Sequence, residues 1–382
     1  MKLKKEQIIK VSITAVCIIL FAVLVAFANS NNPQNNKSDG KSSIVYNRAE
    51  VVEIIKDNMQ KNDKAEQLLT GSQDIKIEIK SGKHKGEQSQ ITNYVSALNN
   101  VPVNKGTNII VRTDTKSNGS YTFTVYNYDR ITYLVFIVFL FFALLAVIGG
   151  KKGIKAMAGL LFTLFCVLFL LLPLLAKGYD SIPTAIFIII ITTVVCMVLL
   201  NGVNSKTISA SMGTILGVMI SGLLAYISGY AVNVTGYNMN EAESLMLIGS
   251  NTNLKIKGLL VAGIFISSLG AVMDVAMSIA SSVYELNSVN KNMSSKQLFR
   301  SGMNIGKDAM GTMANTLILA FTGSSLNLLL LIFSYGIPMM QLFNTDSIAI
   351  EIIQSVAGSI GIILTVPLVA FISSIFVKKL KK

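Results

Sequence analysis

Apolar residues in this chain fall into runs of about twenty, the length an α-helix needs to cross roughly 30 Å of hydrocarbon at about 1.5 Å per residue. Eight such windows are predicted to span a membrane: Ile8 to Ala28, Ile131 to Ile148, Ala156 to Ala176, Pro183 to Leu200, Ile208 to Ala231, Leu259 to Val283, Met310 to Tyr335 and Ile350 to Val377. Between the first two the rhythm changes. Ile44 to Ile55, Asp74 to Lys80, Ser89 to Tyr94, Thr107 to Thr113 and Tyr121 to Tyr126 alternate apolar with polar positions, as a strand with one buried face must. Turns such as Ser81-Gly82-Lys83 and Ser117-Asn118-Gly119 separate them. The pattern predicts a polytopic α-helical membrane protein with about eight transmembrane helices and a small all-β domain, of the OB or SH3-like kind, between helices 1 and 2. The parts are an N-terminal anchor (1–28), a flexible Asn, Ser, Gly and Lys-rich linker (29–43), the β-domain (44–130), a seven-helix membrane domain (131–377) and a basic tail (378–382).

Composition agrees: 52% of residues are hydrophobic and 14% charged, which excludes a soluble enzyme. The net charge of +13 does not point to nucleic acid, because the basic residues cap apolar runs and form no patch interleaved with aromatics. Their distribution sets the topology. With the N-terminus inside, the inner segments hold sixteen Lys and Arg, while the short outer loops hold only Lys177, Lys255 and Lys257. Both termini are therefore expected in the cytoplasm and residues 29–130 outside it. The first span has two readings. Ala26-Phe27-Ala28 resembles a signal-peptide cleavage site, whereas the length of the run from Val11 to Ala28 favours a retained anchor. Cys17, Cys166 and Cys196 lie far apart within apolar runs and are expected to pack, not to pair. The single histidine, His84, sits between Lys83 and Lys85 in a turn and is expected to be solvated there.

Candidate chemistry concentrates between Gly263 and Gly323. An acid within a span costs roughly 2.5 to 3.5 kcal/mol against lipid, so Asp274 is expected to face protein, water or an ion. Gly263, Gly270, Asp274, Ser278, Ser281 or Ser282, and Glu285 form one stripe on a helix. On the next, Asn304 and Asp308 precede Gly311, Thr312, Asn315 and Thr316, with Asp308 expected in the first helical turn, where the dipole favours an anion. Gly302 and Gly306 permit close backbone approach, as do Gly213, Gly217 and Ser221 in the fifth span. Asp274, at a depth of roughly 14 Å, and Asn315, at roughly 8 Å, are expected to meet as one oxygen-rich site for a cation or proton relay. Gly323-Ser324-Ser325 interrupts the seventh span, a pattern that fits a broken helix as well as a bent one. An outer loop holds a further short helix, Asn240 to Ile248.

At Leu269-Gly270-Ala271-Val272-Met273-Asp274-Val275-Ala276, Ser281-Ser282 with Glu285, and Ser301-Gly302 through Gly306, Asp308, Gly311-Thr312-Met313 and Asn315-Thr316, the chain resembles the YibE/F-like bacterial membrane proteins. The resemblance covers roughly Tyr133 to Val377. It implies a multi-pass bacterial membrane protein with a transport role and carries over no substrate or catalytic residue. Three classes follow. A secondary transporter or channel, cation- or proton-coupled through Asp274, is the expected function, since no G-x-x-x-x-G-K-[ST] loop is present. The alternative is an envelope-assembly or sensory protein acting through an envelope partner on residues 44–130. An intramembrane aspartyl protease fits less well, because Asp274 follows Met273 and Asp308 lies in Gly306-Lys307-Asp308, so no enzyme is expected. The expected partners are the lipid bilayer and a small solute or cation. No nucleic acid and no cofactor is expected, and the sequence assigns no metal.

Overall fold

The computed structural model describes residues 19–30, 43–62, 68–116, 118–239, 242–249 and 253–379. Most of the expected linker, the first half of the first span with Cys17, and residues 380–382 of the basic tail lie outside the described residues. Two compact units are present, 36–144 and 1–35 with 145–382.

The first unit holds six antiparallel strands: β1 (Ser43–Asp57), β2 (Gln60–Asn62), β3 (Leu68–Ile79), β4 (Gln88–Val95), β5 (Asn108–Thr115) and β6 (Tyr121–Tyr128). All five expected strands are there, as β1, β3, β4, β5 and β6, joined by the short β2; the sheet order is β2-β3-β1-β5-β6, with β4 also paired to β3. Alternation does what the sequence implies. Along β3, Gln73, Ile75, Ile77 and Ile79 are buried while their neighbours are not, and they meet Val51, Ile109, Val111 and Phe123 in one core. Register shifts after Val51 and Ile54 on β1 mark irregularities that coil the strand, and the sheet becomes a half-barrel. Its open seam is bridged by side chains: Tyr121 of β6 donates to Glu87 at 2.8 Å, and His84 lies against Tyr121 with ring centroids 4.1 Å apart and planes tilted by 43°. His84 Nδ1 lies 2.8 Å from Glu87, so the expected solvated histidine is instead a seam residue. Gly82 allows its turn, with φ at 81° and no room for a Cβ beside Asn47.

Gln73 occupies a core position with a polar side chain. It is satisfied: Nε2 donates to Val103 O at 3.0 Å and Oε1 accepts from Val103 N at 2.9 Å. β6 then passes into helix without slack. Asp129 N donates to Asn108 O at 3.0 Å, its carboxylate pairs with Arg48 at 3.1 Å, and Ile131 N donates to it at 3.1 Å.

The helices are α1 (Ile19–Asn29), α2 (Ile131–Cys166), which runs through a π-turn (Val167–Leu171) into α3 (Leu172–Ala176), α4 (Ser181–Asn201), α5 (Ser205–Ala231), α6 (Ala242–Gly249), α7 (Leu259–Val289), α8 (Ser295–Ser324), α9 (Leu326–Ser334), α10 (Met339–Phe343) and α11 (Asp346–Lys379). Among the described residues five helical runs are long and apolar enough to cross a membrane, and six if α8 and α9, bent by 59°, form one. The expected eight differs for two reasons. The first span is only partly described, and the second and third form one run, Ile131–Ala176. Gly150, at φ 51° and ψ −134°, breaks that run where the inner loop was expected.

The second unit is built on α5, α7 and α11. Gly213 and Gly217 of α5 face Val369 and Thr365 of α11, and Gly361 of α11 faces Ser221 so closely that a Cβ would lie 1.6 Å from its hydroxyl. α8 joins through Gly302 and Gly306, against Val283, Ile279, Val366 and Ala370. α1 lies on α2, with Phe21 and Phe162 centroids 5.3 Å apart. Cys166 and Cys196 are free and buried, as packing residues.

Gln73→Leu is expected to destabilise the β-domain by about 2 to 3 kcal/mol, because the backbone of Val103 stays buried without its partners. Urea unfolding of residues 44–130 would measure it; an unchanged midpoint would contradict this account of Gln73.

Candidate functional site

Helical periodicity gathers the expected residues of α7 as foreseen. Gly263, Gly270, Asp274, Ser278 and Glu285 share an exposed face, Ser281 and Ser282 border it half-buried, and Ser267, which sequence reasoning passed over, completes the stripe. The opposite face of α7, with Phe265, Val272, Ala276, Ile279 and Val283, is the buried one. Asp274 is thus turned away from the helical core, not into it. The same holds on α8, where Asn304, Asp308, Gly311, Thr312, Asn315 and Thr316 are exposed and Leu298, Gly302 and Gly306 are buried.

Asp308 does not begin a helix. α8 starts at Ser295, capped by a reciprocal pair in which Gln297 N donates to Ser294 Oγ at 3.3 Å and Ser294 N to Gln297 Oε1 at 2.8 Å. The expected inner loop from Glu285 to Arg300 therefore shrinks to residues 290–294, and Asp308 lies well inside the helix. No hydrogen bond joins the two stripes among the described residues. Their hydroxyls bond within their own helices: Ser282 donates to Ser278 O at 2.9 Å, Thr312 to Ala309 O at 3.0 Å and Thr316 to Thr312 O at 2.8 Å. The Asp274 and Asp308 carboxylates and the Asn304 and Asn315 amides have no hydrogen-bond partner among the described residues. Among the described residues no three His, Cys, Asp or Glu side chains gather as metal ligands.

The cavities lie elsewhere. One of about 560 Å³ opens at the ends of α4, α5 and α7, with Tyr226, Tyr230 and Tyr237 and the lysines Lys255 and Lys257 among its lining residues. Two more flank the break between α8 and α9. The larger, about 370 Å³, is lined by Ser324, Ser325, Asn327, Ser347, Glu351 and Gln354 together with Met239, Leu328 and Ile350. The smaller, about 250 Å³, includes Thr322, Ser325, Glu351 and Ser355 among more apolar residues. Glu351 and Ser325 border both, and Glu351 Oε2 is buried with no hydrogen-bond partner.

Sequence reasoning missed Glu351. The signal was present, because Ile350-Glu351-Ile352-Ile353 sets an acid among isoleucines just as Met273-Asp274-Val275 does. The expected interruption at Gly323-Ser324-Ser325 is present: α8 ends at Ser324 and the chain bends at Ser325, with Gly323 itself still inside the helix.

The family described as YibE/F-like protein matches residues 137–379, and the one described as YibE/F family N-terminal domain matches residues 45–128, the span of the six strands. No curated protein and no solved structure matches.

The two kinds of glycine separate experimentally. Gly263→Ala, Gly270→Ala and Gly311→Ala meet open space, whereas at Gly306 a Cβ would lie 2.3 Å from Val366 and at Gly302 2.8 Å from Val283. Thermal unfolding in detergent is expected to leave the first three at or above the parent's midpoint, by up to about 1 kcal/mol of helix propensity. The last two should fall below it, and equal midpoints for all five would overturn the packing described.

Proposed function

The chain belongs to the YibE/F-like family, and on that footing we propose that it is a secondary permease or channel of the bacterial cytoplasmic membrane. In this reading the chain crosses the membrane eight times, with both termini inside and the β-domain outside. The observation that carries it is the 59° break between α8 and α9 against a polar cavity. Hydrocarbon tolerates interrupted helix only where protein or water meets the freed backbone groups. Six polar side chains line the larger cavity at this break, while α2 above Gly150 is apolar on every side. Paired half-helices at a polar cavity are how many transporters hold their cargo.

The stripe on α7 supports the same reading. An unpaired carboxylate costs too much against acyl chains to be retained without use. Asp274 in this reading borders a wet or protein-covered face along which a cation or proton moves.

A second reading keeps a specific observation in its favour. The β-domain has its own core and belongs, with the first turns of α2, to a compact unit separate from the remaining helices, which suits an envelope partner held by a membrane scaffold.

Reconstitution into liposomes separates them. The parent is expected to pass protons or monovalent cations, and Asp274→Asn, which keeps the shape and removes the charge, to fall to the level of empty liposomes while inserting normally. If parent vesicles moved no ion, and residues 44–130 retained an envelope protein in pull-down, the scaffold reading would replace the permease.

A further inference from the structure

We propose that Glu351 and the oxygens at the α8–α9 break bind a small monovalent cation, an inference that rests on the permease reading and gives it a cargo or coupling site. Its basis is the chemistry of the wall. Ser324, Ser325 and Ser347 offer hydroxyls, Asn327 and Gln354 offer amide oxygens, and Glu351 offers the carboxylate. Among the described residues no Lys, Arg or His lines the cavity. Six oxygen-bearing side chains beside Met239, Leu328 and Ile350 suit a hard cation.

Charge count then chooses among cations. One carboxylate and neutral oxygens balance a single positive charge, and a divalent ion would sit there half compensated. Asp346, beside the lining Ser347, accepts from Asn238 Nδ2 at 2.8 Å and is not itself among the lining residues.

Glu351 also stands, partly exposed, with one carboxylate oxygen that meets no protein partner. Its Oε2 is buried and unpaired, and an unmet carboxylate oxygen is among the costlier groups to bury. A cation between it and the serines removes that cost. At about 370 Å³ the cavity holds an ion that keeps part of its water shell. Glu351 lies five residues into α11 from Asp346, about 8 Å along the helix, so the ion reaches it from the expected outer side.

The test uses the full chain in nanodiscs, with radioactive sodium and rubidium as probes and choline as the inert counter-cation. Saturable binding of one of the two, weakened by at least about tenfold in Glu351→Gln and partly kept in Glu351→Asp, is expected. Ser325→Ala supplies a second, milder loss should the glutamine variant unfold. Equal binding by parent and Glu351→Gln, no saturable binding by the parent, or stronger displacement by calcium than by the monovalent ions would overturn the proposal. Binding is read without flux, so the two ideas fail separately. A parent that binds but moves no ion keeps the site and loses the permease, and one whose flux and binding ignore Glu351 keeps the permease and loses the site.

Discussion

The helical unit depends on how closely α5 and α11 approach. Gly217 lies where a Cβ would be 1.9 Å from the Thr365 hydroxyl, and Gly361 lies against Ser221. Between helices in a bilayer there is no hydrophobic gain to be had, since acyl chains are as apolar as leucine. Contact area has to do the work, and removing side chains from the seam is what lets backbones supply it. Thr365 Oγ1 donates to Gly361 O at 2.7 Å and Ser221 Oγ to Gly217 O at 3.3 Å, so these two seam hydroxyls are satisfied within their own helices, whereas Thr214 Oγ1 and Ser373 Oγ are buried without a partner.

From that seam the rest takes its position. α7 lies against both helices, its Val272 reaching Gly217, and α8 fills the remaining side by setting Gly302 and Gly306 over α7 and α11. Small residues are thus spent where helices meet. Polar residues that do not meet anything, Asp274 and Asp308 foremost, are left on the faces that α7 and α8 turn outward. α11, held along its middle, carries Glu351 to the α8–α9 break at its other end.

Much of this was legible in the sequence, and the failures share a cause. Alternation found the strands because a strand's two faces differ whatever it pairs with, and the Gly213, Gly217, Ser221 spacing found a true contact because three small residues in register have few other uses. Periodicity also put Asp274, Ser278 and Glu285 on one face correctly. It could not say which way that face points, since the direction is set by neighbours distant in the chain. Asp274 and Asn315 each lie on an exposed face of their own helix, and no hydrogen bond joins them among the described residues. Asp308 was misplaced because the amphipathic first half of α8 is too polar to read as a span, although Ser294 and Gln297 carry a capping pair that marks the start. Glu351 was passed over for standing near the end of a run, where an acid looks like a border. His84 found partners only because the sheet curls β6 back toward the β3–β4 turn.

The short passage from β6 to α2 has a mechanical meaning. Asp129 is gripped by Arg48 on β1 and by the backbone of Asn108 on β5 while its own carboxylate receives the first turn of the helix. One residue thus ties the last strand, two of its neighbours and the first turn of α2 together, with residues 129 and 130 as the whole of the connection between β6 and α2.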